Sequence, residues 1–148
     1  MKRVLVAYAV TALAPLSACN RPADAASAAP QIELPTIAAG KWQETHALDG
    51  GKGGFPGARC HKERTLWEVM DVGVAGLKNC QRSIEKTGNG FLALYRCSSG
   101  GSAITIRTTV SGDFTNGYSL ESIQTFEPAL NGTTSQRIAI EARRHQPC

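Results

Sequence analysis

The stretch Asn79 to Cys97, NCQRSIEKTGNGFLALYRC, constrains this chain most, because it places a cysteine near each end of an apparent hairpin. With Gly88-Asn89 as a two-residue loop, Thr87 faces Gly90, and opposed positions sum to 177. Cys80 and Cys97 obey the same sum. Seven steps from a hydrogen-bonded closing pair they fall at a non-hydrogen-bonded one, where Cα atoms stand about 4.5 Å apart. That is within the reach of a disulfide. The faces of this hairpin are mixed, since Ile84, Phe91, Ala93 and Tyr95 share a side with Arg82 and Lys86. A slip of one residue would turn every side chain over.

A disulfide needs an oxidising compartment, and the amino end supplies an address. Met-Lys-Arg precedes an apolar run that ends in Leu16-Ser17-Ala18-Cys19. A basic start, an apolar stretch and small residues form a secretory signal. A membrane-spanning helix is the competing reading. Val4 to Ala18 as a helix reaches only roughly 22 Å, against a hydrocarbon core about 30 Å thick, and Pro15 weakens that helix. Leu-Ser-Ala-Cys resembles the bacterial lipobox. That resemblance implies cleavage before Cys19, a diacylglyceryl group on its sulfur and an acylated new amino end. Several acyl chains, at about 0.8 kcal/mol per buried methylene, make a durable anchor. Asn20 after Cys19, by the same likeness, points to the outer membrane, facing the periplasm.

The expected organisation is a signal peptide over 1–18, a lipidated end and flexible tether over 19–33, and one domain over 34–148. The tether segment NRPADAASAAPQ has no apolar periodicity. Losing Lys2 and Arg3 with the leader leaves 14 basic residues against 12 acidic ones. A net charge of +2 is too small to argue for a nucleic-acid partner.

The domain reads as mainly β (α+β): a curved antiparallel meander of about six strands with one short helix. Residues 41–46 form a first strand with Trp42 and Glu44 on one side. DGGKGGFPG, residues 49–57, is a glycine-rich loop. Thr65-Leu66-Trp67-Glu68 has capping-box spacing and predicts a helix over 65–71, with Gly73 stopping it. Ser102 to Val110 alternates, with Ile104, Ile106 and Val110 on one face. Residues 111–114 form a turn. Gly117 to Phe126 changes apolar parity between Leu120 and Ile123, which predicts a bulge. Asn131-Gly132 is a hairpin turn, and Ile138, Ile140 and Ala142 face inward on a last strand.

Four cysteines remain beside Cys19, and four allow three connectivities. If Cys80 joins Cys97, Cys60 joins Cys148. By the chain-entropy estimate the short loop contributes about 3 kcal/mol and the long one about 4–5 kcal/mol. The rival is a zinc site, in which Cys60, His61, His145 and Cys148 converge as two sulfurs and two imidazoles.

Catalytic patterns are hard to find. His46, His61 and His145 sit beside no recognisable nucleophile motif, and no phosphate-cradling loop or H-E-x-x-H is present. Glu44, Glu85 and Asp113 are scattered along the chain. Trp42 and Trp67 read as core anchors. No catalytic residue and no cofactor is assigned.

LPTIAAGKWQET, Cys60 before a short helix, the hairpin above, TTVSGDFTNGYSLES and the terminal EARRHQPC together resemble a bacterial exported family, the domain of unknown function numbered 3617. The likeness covers most of the mature chain. It implies a periplasmic or lipid-anchored small β domain and transfers no catalytic residues. Pro147 departs from the glycine usual before the last cysteine of that family. The leading expectation is therefore a non-catalytic envelope lipoprotein, held at the membrane through Cys19, that meets envelope components or a small apolar ligand. The alternatives are a periplasmic inhibitor, resembling lysozyme inhibitors and using the 49–57 loop, and the zinc protein or enzyme named above.

Overall fold

The computed structural model describes residues 32–51 and 57–148. The leader, Cys19, the tether up to residue 31 and residues 52–56 of the glycine-rich loop lie outside the described residues.

The described chain forms strands β1 (Thr36–Ile37), β2 (Gly40–Leu48), β3 (Gly57–His61) and β4 (Arg64–Thr65), then helix α1 (Leu66–Met70) running into a 3₁₀ turn (Asp71–Gly73). Five long strands follow: β5 (Gln81–Thr87), β6 (Gly90–Ser99), β7 (Ser102–Gly112), β8 (Gly117–Leu130) and β9 (Thr133–Gln146). β1 and β4 pair alone; the other seven make one open antiparallel sheet in the order β3-β2-β9-β8-β7-β6-β5. The meander runs from β5 to β9 as the alternation predicts. Two further strands extend it beyond β9, so β2, early in the chain, lies against the terminal strand.

One face of the sheet, here the inner face, holds the core. Trp42, Ala93, Tyr95, Ile104, Ile106, Val110, Leu120, Ile140 and Ala142 are buried on it, and Leu66, Val69 and Met70 of α1 pack down from above. The capping box forms as its spacing predicts: the Glu68 amide donates to Thr65 Oγ1, and the Thr65 amide donates to a Glu68 carboxylate oxygen. Such a cap contributes about 1 kcal/mol.

Gly73 plays another part than a helix stop. Its backbone is not left-handed. Instead, a Cβ there would stand 2.9 Å from Ser122 Oγ and 3.0 Å from Gln124 Nε2. Glycine lets the 3₁₀ turn rest directly on the sheet.

No bulge falls between Leu120 and Ile123. β8 keeps constant register with both neighbours over this stretch, and the register shift comes later, between Thr125 and Leu130. The apolar parity breaks because the inner face of β8 carries polar Ser122 and Gln124, while Ile123 points to the outer face. Both polar side chains are satisfied. Ser122 Oγ shares a hydrogen bond with Thr108 Oγ1 at 3.0 Å, and Gln124 Nε2 donates to the Gly73 carbonyl at 3.1 Å.

The 80–97 hairpin has the expected register, and the Cys80–Cys97 disulfide spans 4.2 Å between Cα atoms. Its mixed face is explained by α1: the Arg82 guanidinium lies 4.2 Å from the Trp67 ring centre and 3.8 Å from the Asp71 carboxylate. Cys60 joins Cys148. The turn after β7 is held by Asp113, whose Oδ1 accepts from the amides of Thr115, Asn116 and Gly117. Those bonds hold its carboxyl far below the usual range.

Two measurements test this packing. Gly73→Ala should lower stability in a urea melt by about 1–3 kcal/mol. Gly88→Ala, where a Cβ meets nothing, should stay within about 0.5 kcal/mol of the parent. In timed alkylation with a mild thiol reductant, Cys60–Cys148, whose cysteines are both exposed, should open before Cys80–Cys97, where Cys97 is 7% exposed.

Candidate functional site

α1 and the 3₁₀ turn cover the β6–β8 part of the inner face. The β9–β2–β3 side lies beside them as an open cleft of about 530 Å³, lined by Glu44, His46, Arg64, Val69, Tyr118 and Ile140 among others. Strand alternation delivers these groups. Trp42, Glu44 and His46 are successive inner positions of β2, and Arg59 and His61 are inner positions of β3 by its register with Trp42 and Gly40. Arg64 enters from β4, one residue before the helix cap.

Glu44 is the hub. Its Oε1 accepts from Arg64 Nη2 at 2.9 Å and from the Tyr118 hydroxyl at 3.0 Å. His61 Nε2 lies 3.9 Å from the same oxygen, and His46 Nε2 lies 3.5 Å from Oε2. Burial pushes the Glu44 carboxyl up, but the hydrogen bond and charge of Arg64, the Tyr118 hydroxyl and His61 outweigh it, so the net shift is downward. Burial, with the charges of Arg64 and Arg59, lowers His61 against the opposing pull of Glu44. Burial and the Glu44 charge raise the Tyr118 phenol. A second hollow of about 430 Å³ is lined by Glu44, His46, Gly57, Arg59 and His61. The two hollows meet at Glu44 and His46.

Cys60, His61, His145 and Cys148 do not come together as a ligand set. Cys60 and Cys148 are bonded to each other and offer no thiolate. His61 turns to the inner face and Glu44, whereas His145 Nε2 meets Gln43 Oε1 at 2.7 Å on the outer side of β2. Among the described residues no three His, Cys, Asp or Glu side chains are placed to hold a metal ion. Glu85 lies exposed on the edge strand β5, away from Glu44, and Asp113 is a turn cap. Of the 49–57 loop, Asp49 is tied to β9, its carboxylate accepting from the Arg137 amide at 2.8 Å. Cys19 lies outside the described residues.

Sequence reasoning placed Trp42 beside Glu44 but missed the partners of that carboxylate. Arg64 and Tyr118 are 20 and 74 residues from it. The one local signal is His46, two residues on from Glu44 and so on the same face of the pleat.

The pH dependence follows with a definite sign. Both Glu44 and His61 bind protons less readily when folded. Their stabilisation is full above the unfolded values and is lost as pH falls, first for His61 below about 6.5 and then for Glu44 below about 4.5. Thermal melts from pH 8 to pH 4 should therefore show falling midpoints. His61→Gln should flatten the upper part of that decline and leave the lower part.

Comparison with protein-family models, with curated proteins and with solved structures yields no match.

Proposed function

We propose that this chain is an exported, lipid-anchored binding domain of the bacterial envelope, not an enzyme. The observation that carries the reading is the use of its cysteines. The four within the domain pair off with each other, and the fifth, Cys19, stands where a lipobox-like segment places an acylated residue. Two disulfides agree with an oxidising compartment. The motif likeness to the exported family numbered 3617 points to the same address.

The binding part of the reading is supported by the partly covered inner face. A single five-residue helix leaves a concave, partly apolar cleft of ligand-binding size. The charged side chains around that cleft are engaged in holding one another: Glu44 with Arg64 and Tyr118, Glu68 with the helix cap, and Asp71 with the Tyr95 hydroxyl at 2.7 Å.

Mass spectrometry of protein taken from its native host tests the address. The expected species begins at Cys19, carries acyl groups and has no reducible free thiol before treatment. Cys19→Ala should abolish the acylated species and leave unprocessed precursor. A chain still beginning at Met1, or full processing of Cys19→Ala, overturns the proposal.

A further inference from the structure

The two joined hollows differ in charge. Around the smaller one stand Arg59, His61 and His46, against the single carboxylate of Glu44, which Arg64 already balances at 2.9 Å. Arg59 forms no ion pair among the described residues. The larger hollow is walled by Val69, Val72, Val74, Ala75 and Ile140. Its remaining carboxylates, Glu68 and Asp71, are committed to Thr65 and to Tyr95.

We propose that the joined cleft binds an anionic amphiphile with a single alkyl chain, its carboxylate or phosphate head between Arg59 and His61 and its chain along Val72, Val74 and Ile140. This deepens the binding-domain reading and rests on it. Three features of the site fix the class. A basic end attracts an anionic head, and Arg59 there has no ion-pair partner among the described residues. An apolar wall beyond Glu44 is stabilised when an alkyl chain covers it and removes it from water. Glu68 and Asp71, which line the larger hollow and not the smaller one, repel a head placed the other way round, so charge sets the orientation.

The test is a titration of the full chain in neutral detergent, following the ring resonances of His46 and His61 by NMR. The probes are dodecanoate, dodecyltrimethylammonium and inorganic phosphate, so that competition from detergent is common to both alkyl ligands. Dodecanoate should shift both rings saturably, and the other two should bind at least tenfold more weakly. Arg59→Gln, at an exposed position, should weaken dodecanoate about tenfold. Ala75→Glu, on the exposed rim of the apolar wall, should weaken it several-fold. Equal or tighter binding of the cation, binding of inorganic phosphate that matches dodecanoate, or indifference to Arg59→Gln overturns the proposal. A chain that proves unlipidated yet binds dodecanoate in this way supports it, whereas a lipidated chain that does not bind dodecanoate refutes it.

Discussion

The pairing of β2 with β9 is the contact on which the rest of the molecule depends. It joins residues about a hundred positions apart, Lys41 to Gln146 at one end and Leu48 to Ile138 at the other. Without it the β5–β9 meander would end at a bare strand, and Trp42 would have no core to enter. With it, the Trp42 ring sits 5.6 Å from that of Tyr118, and its indole nitrogen donates to the Ala38 carbonyl at 2.9 Å. Closing so long a loop is entropically costly. The Cys60–Cys148 bond reduces that cost by joining the neighbouring strand β3 to the residue at the end of the chain. The same pairing sets Glu44 and His46 beside Tyr118 and Ile140, so the cleft is a direct product of the longest-range contact in the sheet.

The opposite edge is managed by charge. β5 is an edge strand, and edge strands invite pairing with other chains. Its inner positions are Arg82, Ile84 and Lys86. A symmetric antiparallel pairing of two copies about Ile84 would set Arg82 against Lys86, a like-charge opposition that disfavours it. Arg82 also has a use within the chain: it covers Trp67 and faces Asp71, while the Tyr95 hydroxyl bonds the same carboxylate. Arg82, one of the two side chains that made the hairpin look inconsistent as a two-faced ribbon, fastens it to the helix.

Local features were legible in the sequence, and long-range ones were not. Thr65 and Glu68 cap a helix three residues apart, and Cys80 and Cys97 follow from one turn and a parity rule. Ile104, Ile106 and Val110 reveal their face by alternation alone. Ser122 and Gln124 misled because a polar residue in a strand ordinarily points outward; here the partners that permit burial are Thr108 and the backbone of Gly73, far off in the chain. Gly73 itself looked like a helix terminator, since nothing local distinguishes a glycine needed for its backbone angles from one needed for its missing side chain. Of the site, Glu44 and His46 could be placed on a common face, whereas Arg64, His61 and Tyr118 join them only once β3, β4 and β8 are in position.

The cleft follows from a mismatch of dimensions. Seven strands at about 4.8 Å spacing make a sheet roughly 29 Å across. One helix is about 10 Å wide, and five residues of it are only ~7.5 Å long. Such an element spans about a third of the sheet's width, and here it lies over β6–β8, pinned there by Gly73 against Ser122 and Gln124. Beyond its reach the β1 segment covers Trp42, whose indole nitrogen donates to the Ala38 carbonyl, and the remaining inner positions of β2 and β9 open toward the cleft. β9 and β2 are built accordingly: the inner positions pass from buried Ala142 and Ile140 to half-exposed Ile138 along β9, and from buried Trp42 through Glu44 to exposed His46 along β2. The face thus grades from dry core to a charged rim in adjacent strands. Glu44 stands at the boundary, where a carboxylate persists because Arg64 and Tyr118 replace the water it has lost.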